Sequence, residues 1–598
     1  MDELTRLEKT TEVFVGPEGL EAPAKTFVPG PYYVAIDEVI PELGNIPEEV
    51  AGDKKSFKSW IPDVDRRDFM RLFSASAMFG AASCVRRPEE KAIPYVNQPI
   101  DHVPGVAVHY ATTCNECAAG CGVIVKTREG RPVKLEGSAR HPLSQGGMCA
   151  LGQASIQGLY HPERQKTPLI RYGKRQDPAD WSSVYQKIAE KVGDSTKIGI
   201  LTGGSTGFQQ QFFKAVLKKL GASENNLYTW ESNSLYTAIG KAHELAFGQE
   251  GLPRIEFRKT NLVVSLGSDF LELGTSPTFH AKTFTKALSY INGKMGQLVQ
   301  FEATYSLTGT KASKRVVIPP GYEFTVALLL LRSLLAAEGV RGEARDKEQA
   351  KQILAQVEGE LAVAEKALSF SRHDFDALAK DMLAQNAVIL AGSSASFDEN
   401  STKLQLVTIL LNLLTGAYGS SLLFDRGWMT QPVKIGDMER FLTEAENLDV
   451  LFVIDTNPIF SCPPSWGVKE KLEKVKTVVS VQAFPNEVDD LAKFSLPGYH
   501  YLEAWGDEQP FAGFWSLRQP AVRATTDCRQ AEDVLLWVLA HLNKPFGFPD
   551  YRAYLEEQYK SVFKQTGMQA DYKKFYKAIL RQGFVIKLDK RTQAPLAV

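Results

Sequence analysis

The chain has 598 residues, which at about 150 residues per domain allows some four domains or subdomains. Apolar residues make up 44%, charged residues 23% and aromatics 10%, an ordinary globular composition that excludes a largely disordered, collagen-like or polytopic membrane chain. Lys plus Arg number 69 against 70 Asp plus Glu, a formal net charge of −1, so no overall basic field exists to hold nucleic acid.

Residues 1–65 are rich in Glu, Pro and Gly with no sustained apolar period, and read as an extended arm. Arg66-Arg67-Asp68-Phe69-Met70-Arg71 then precedes the uncharged run LFSASAMFGAASCV, Leu72 to Val85. Paired arginines before a short apolar segment read as a twin-arginine export signal over residues 66–87, although such signals usually sit nearer the first residue. At 14 residues the run is short for about 30 Å of hydrocarbon, and its Ala, Ser and Gly give an amphipathic helix little to work with. Cys84, in Ala-Ala-Ser-Cys, resembles a lipobox with Ala where Leu is usual; lipidation would tether the chain to a membrane face, and a small unmodified thiol is the alternative.

Seven cysteines are too few for a disulfide-stapled scaffold, so their spacing matters more than their number. Four fall together as Cys114, Cys117, Cys121 and Cys149, a C-x2-C-x3-C-x27-C pattern. Three thiolates on one loop and a distant fourth can wrap a cubane iron–sulfur cluster, and Gly120, Gly146 and Gly147 allow close backbone approach. Four thiolates also suit structural zinc, and disulfides suit an exported protein. A c-type haem would need His after Cys117, where Ala118 stands. Cys462 and Cys528 are isolated and read as packing residues, and His141 reads as an exposed loop histidine.

The run from Tyr110 through Cys121 to Cys149-Ala150-Leu151-Gly152 resembles the opening domain of molybdopterin oxidoreductases, the dimethyl sulfoxide and polysulfide reductase group. The preceding stretch, RRDFMRLFSASAMFGAASCVRRPEEKAIPYVNQP, resembles the molybdopterin-like iron–sulfur subunits of alternative complex III, which pass electrons from membrane quinol to a periplasmic acceptor. The likeness runs from about residue 60 to 545. It implies a 4Fe-4S cluster on Cys114, Cys117, Cys121 and Cys149 in a domain at 104–165. It also implies two doubly wound α/β lobes over 166–545 and a site on the periplasmic face of the bacterial inner membrane.

Apolar runs ending in Gly, Asp or Asn recur between helical stretches: KIGILTGGS from Lys197, NLVVSLGSD from Asn261, AVILAGSSA from Ala387, VLFVIDTNP from Val450 and TVVSVQAFP from Thr477. They predict buried parallel strands with ligand-bearing loops at their carboxyl ends. GSDFLELGTSP, TGTKASKRVVIPPGYEFTVALLL, IDTNPIFS and FSLPGYHYLEAWGDEQ resemble, in order, family loops that surround the dinucleotide cofactor, molybdopterin guanine dinucleotide. Leu404 to Phe424 is 21 residues without a charge, yet Gln405, Thr408, Asn412 and Thr415 interrupt it, so a buried helix and turn are predicted instead of a membrane span.

The pattern also departs from the family. In the loop TWESNSLYTAIGKAHELAFG, where the family places a Cys, Ser or Asp on molybdenum, only Ser232 and Ser234 could serve, and serines in polar turns cap helices. Leu151 stands where a Lys or Arg commonly follows the fourth cysteine, and it offers no hydrogen bond to a pterin. After residue 545 the family's β-barrel domain is replaced by a short tail, 546–598, that reads as helical. These departures favour an electron-transfer subunit with one cluster and no molybdenum, its own active site lost. The partners implied are cytochrome c subunits, a ferredoxin-like iron–sulfur subunit, plus an integral membrane quinol-binding subunit. An active polysulfide-type reductase and a redox-silent scaffold are the alternatives.

Overall fold

The computed structural model describes residues 103, 105–231, 235–248, 251–289, 295–392, 398–423, 433–434, 436–524, 526–566 and 571–587. The arm, the twin-arginine segment with Cys84, and both Ser232 and Ser234 lie outside the described residues.

The cysteine-bearing segment forms a three-stranded antiparallel sheet of β1 (Val108–Thr113), β2 (Gly122–Arg128) and β3 (Arg131–Gly137). It is followed by α1 (Ala150–Leu159). The chain then lays down β4 (Leu169–Tyr172) and β5 (Arg175–Pro178), α2 (Trp181–Val192), β6 (Ile198–Thr202), α3 (Gln209–Leu220) and β7 (Leu227–Thr229). After α4 (Leu235–Phe247) and the short β8 (Arg254–Ile255) it leaves to build a second lobe.

That lobe contains β9 (Leu262–Leu266), α5 (Pro277–Leu288), β10 (Gln297–Glu302), β11 (Lys314–Val317), α6 (Glu323–Ala336), α7 (Ala344–Ala364), α8 (Arg372–Ala384), β12 (Val388–Ala391) and α9 (Ser401–Thr415). Its sheet runs β11-β10-β9-β12, all parallel. α6 and α9 bury Leu328 to Leu331 and Leu410, Leu411 and Leu414 against it. β13 (Leu422–Leu423) pairs with β8 as the chain turns back.

The return passes through α10 (Asp437–Glu444), β14 (Val450–Ile454), α11 (Pro458–Ser461), α12 (Val468–Lys474), β15 (Thr477–Gln482) and β16 (Phe494–Pro497). The first lobe is therefore one seven-stranded sheet, β5-β4-β16-β15-β14-β6-β7, drawn from two separated parts of the chain. Its five strands from β16 to β7 are parallel. Central β14 reads VLFVI and is buried throughout, because helices cover both faces and no residue need be polar. All five apolar runs predicted as parallel strands are found as β6, β9, β12, β14 and β15.

β17 (Gly506–Phe511), β18 (Phe514–Arg518) and β19 (Phe584–Ile586) make a further antiparallel sheet. α13 (Ala531–His541), α14 (Tyr551–Thr566) and α15 (Tyr572–Gln582) connect β18 to β19. The tail thus supplies two helices and a strand, with Tyr551, Tyr559 and Val585 buried. Among the described residues no sheet closes into a barrel, and no helix is long and apolar enough to cross a membrane.

Candidate functional site

Cys114, Cys117 and Cys121 occupy the connection from β1 to β2, and Cys149 caps the first turn of α1. The Cys114 N–H donates to the Cys121 carbonyl at 2.9 Å, closing the loop that holds three thiols. Gly120 takes φ 58° there, and a Cβ on it would press within 3.1 Å of Glu508 Cβ. Each thiol meets a donor. Backbone N–H groups of Glu116 and Ala119 reach the sulfurs of Cys114 and Cys117, Gly152 N donates to Cys149 Sγ at 3.4 Å, and Thr278 of α5 hydrogen-bonds Cys121.

Burial raises the Cys114 thiol and pushes Cys121 up to about 12, and the thiol of Cys117, a residue open to the cleft, is raised as well. Neighbouring thiolates add to this: Cys121 and Cys117 act on Cys114, and Cys149 acts on both Cys117 and Cys121. The four sulfurs therefore share one field and oppose one another's ionisation, a conflict that bound iron would relieve. All six described cysteines are unbridged. Four thiols of this kind are a donor set that a 4Fe-4S cluster uses, and that structural zinc also accepts.

His141 corrects the sequence-based expectation. It is fully buried, its Nδ1 accepting from Gly122 N at 3.2 Å and its Nε2 lying 2.9 Å from Ser516 Oγ. Loop residues around it suggested exposure, but the loop folds inward between Phe514 and Phe584, and burial lowers the imidazole to about 3. Cys462 and Cys528 are buried packing residues.

Beyond Cys117 opens a cleft of about 760 Å³. Its floor is built by loops at the carboxyl ends of β6, β14 and β15, the place where parallel sheets present ligands, and Leu151 stands on its wall. Among the described residues, the charged groups that line it are Glu116, Glu231, Asp455, Glu508, Glu532 and Arg518, five carboxylates against one guanidinium. Burial and Glu508 push Glu231 up to about 7, while Asp455 is exposed at the cleft surface. Glu508 is fixed by Thr206, whose N–H and hydroxyl donate to Oε2 at 2.9 and 2.6 Å.

A molybdopterin dinucleotide brings pyrophosphate anions, and the described residues do not fit it. The cleft opposes them with carboxylates, and the described loops after β9 and β10 are hydrogen-bonded within the second lobe. There Asp269 accepts from Thr308 N and Oγ1 at 3.0 and 2.6 Å, Glu302 binds Arg315 at 2.5 Å, and the adjoining cavity is about 80 Å³.

Two α/β lobes with a four-thiol domain at the mouth of their cleft define a class of large α/β proteins that present ligands at their strand ends. Residues 108–161 match the molybdopterin oxidoreductase Fe4S4 domain. That match, with the relatives that follow, supports a place for the chain near the molybdopterin oxidoreductase family. It is 24% identical over 488 residues to a menaquinone reductase molybdopterin-binding-like subunit of Nitratidesulfovibrio vulgaris, covering 76% of this chain and 68% of that one. It is 24% identical over 254 residues to the molybdopterin-containing subunit of the arsenate respiratory reductase of Shewanella sp., covering 40% of this chain and 28% of that one. A sulfite dehydrogenase subunit of Allochromatium vinosum is 25% identical over 237 residues, 38% of this chain and 23% of its own length. Acetylene hydratase of Pelobacter acetylenicus shares the fold at TM-score 0.63 and 14% identity, over 80% of this chain and 74% of that one.

Cys114, Cys117, Cys121 and Cys149 lie within one another's electrostatic reach, and Leu151 lines the cleft together with Cys117. Arg518, Glu508 and Glu231 were not singled out from sequence. Asp455 and Glu508 fall within strand-end motifs that were, but nothing local shows that five acids converge.

Proposed function

We propose that the chain is the iron–sulfur electron-transfer subunit of a membrane-associated respiratory quinol oxidoreductase complex. In this reading it holds one 4Fe-4S cluster on Cys114, Cys117, Cys121 and Cys149 and no molybdenum. The single observation that carries it is the group of four thiols in one shared field, each met by a hydrogen-bond donor, at the mouth of a cleft hostile to an anionic cofactor. The menaquinone reductase subunit named above supports a respiratory role, since it is similar over most of both chains.

A bound cluster supplies one-electron transfer at a potential set by charge, hydrogen bonds to sulfur and exposure. The chain's own part is to fix those three terms. The N–H groups of Glu116, Ala119 and Gly152 favour electron density on sulfur, burial of Cys114 excludes water, and Cys117 faces the cleft. We assign export by the twin-arginine segment to the periplasmic face of the inner membrane. Partner chains supply ferredoxin-like clusters, the membrane quinol site and cytochrome c.

Iron and molybdenum analysis of anaerobically purified protein, with low-temperature electron paramagnetic resonance of the reduced sample, tests this. About four irons, no molybdenum and a reduced-cluster signal lost in Cys117→Ala are expected. Stoichiometric molybdenum would make the chain a catalytic subunit, and an intact signal in Cys117→Ala would overturn the ligand assignment.

A further inference from the structure

The cleft beside Cys117 carries an unbalanced charge. Of its five carboxylates, Glu508 and Glu532 accept hydrogen bonds from Thr206 and Gln209, but Glu231 Oε2 is buried without a partner. Asp455 stands at the carboxyl end of β14 in a left-handed conformation, φ 46°, facing the cleft. The guanidinium of Arg518 is part of a side chain only 7% exposed, and its Nε and Nη1 have no partner. It lies against Gly506 on the neighbouring strand, where an added Cβ would meet Nη2 at 2.2 Å, so it is held in place while Nε and Nη1 go unused. Buried polar groups in folded proteins are otherwise nearly always paired.

The rim has a different character. Phe460 is 78% exposed and Leu151 64% exposed, and Phe484 completes an apolar edge around the acidic floor. Large apolar side chains around a polar floor mark a surface that another molecule covers.

We propose that this cleft is the docking site for a polypeptide segment of a partner subunit that carries Lys or Arg between apolar residues. The segment's cationic side chains meet Glu231 and Asp455, its backbone carbonyls take the idle Arg518 donors, and its apolar residues pack on Phe460 and Leu151. A polypeptide supplies all three chemistries at once. A lone cation leaves Arg518 unpaired and the rim bare, and a phosphate-bearing ligand is repelled by the carboxylates. The occupant rests on the multisubunit reading proposed above, while the site itself needs the cleft's charge and not electron flow through the cluster.

The test is calorimetric titration of the full iron-loaded chain with acetyl-Leu-Lys-Phe-Lys-Leu-amide and with its counterpart bearing Glu in place of both Lys. The Lys peptide is expected to bind, with affinity falling as salt rises, and the Glu peptide not to bind. Glu231→Gln combined with Asp455→Asn should weaken the Lys peptide at least tenfold at unchanged iron content, and Phe460→Ser, which alters only an exposed side chain, several-fold. Equal binding of both peptides, no binding of either, or unchanged affinity in these variants overturns the proposal. Saturable Mg²⁺ binding that displaces the peptide would show a cation site instead. Loss of the cluster signal with peptide binding intact sinks the electron-transfer reading and leaves this one standing.

Discussion

Arg164 and Glu503 form a two-point ion pair in the interior: Nη1 donates to Oε1 at 3.2 Å and Nη2 to Oε2 at 2.6 Å, with both side chains almost wholly buried. Arg164 follows α1, and its Nη1 also donates to the Leu159 carbonyl at 3.1 Å. Glu503 precedes β17 and accepts the His500 N–H at 2.9 Å. The pair therefore ties the end of the thiol-bearing segment to the strand that carries Glu508 on the cleft wall.

Removing one partner strands the other charge without water, so Glu503→Gln or Arg164→Met should each destabilise the chain by about 3–5 kcal/mol. The double variant Arg164→Met with Glu503→Leu should cost less than either single change, because no charge is left buried. Urea unfolding at matched iron content measures this. Single losses under about 1 kcal/mol would mean that water reaches the pair.

Gly122 holds the buried His141 ring against the first residue of β2. A Cβ on it would fall 2.3 Å from the ring carbons, which cannot retreat past Phe514 and Phe584. Gly122→Ala should cost about 1–3 kcal/mol by overpacking. It should also lower iron occupancy, since Cys121 is the preceding residue. A thermal melt with parallel iron analysis distinguishes this from a tolerated change, which would leave both at the parent values.

Much of this architecture was legible locally. Runs such as VLFVI and LVVSL are continuous apolar stretches with a turn at the end, and that suffices for a strand covered on both faces. Their distribution between two sheets was not legible, because periodicity states burial and not partner. β6 pairs with β14 across the whole inserted lobe, and β18 with β19 across three helices. The thiol group was legible because four like residues in tight spacing are rare. The acidic cleft was not, since Glu231, Asp455, Glu508 and Glu532 are unremarkable until the sheet brings them together.

Asn412 shows why the apolar stretch from Leu404 is not a membrane span. Its Oδ1 accepts from Ile389 N at 2.9 Å, while Nδ2 donates to the carbonyls of Ile389 at 2.8 Å and Thr408 at 3.0 Å. β12 is the edge of its sheet, and this one amide satisfies the outward groups of Ile389. Asn412→Leu leaves those groups buried and unpaired, and should cost about 2–4 kcal/mol in denaturant unfolding. An unchanged midpoint would show that α9 does not seal the edge.

Asp507 sets a pH dependence with a definite sign. Burial, reinforced by Glu508, pushes its carboxyl up to about 8 from an ordinary 3.8, although Phe208 N donates to it at 3.0 Å. Between roughly pH 4 and 8 the folded chain keeps a proton that the unfolded chain gives up, so unfolding releases protons and stability falls as pH rises through this window. The contribution is whole below the unfolded value and gone above the folded one. Asp507→Asn retains an oxygen for Phe208 N–H and cannot ionise. Relative to the parent it should therefore gain about 1–3 kcal/mol near pH 9 and nothing near pH 4. Unfolding midpoints across that range decide it: a variant whose advantage is largest at pH 4 would reverse the sign and place Asp507 as a stabilising anion.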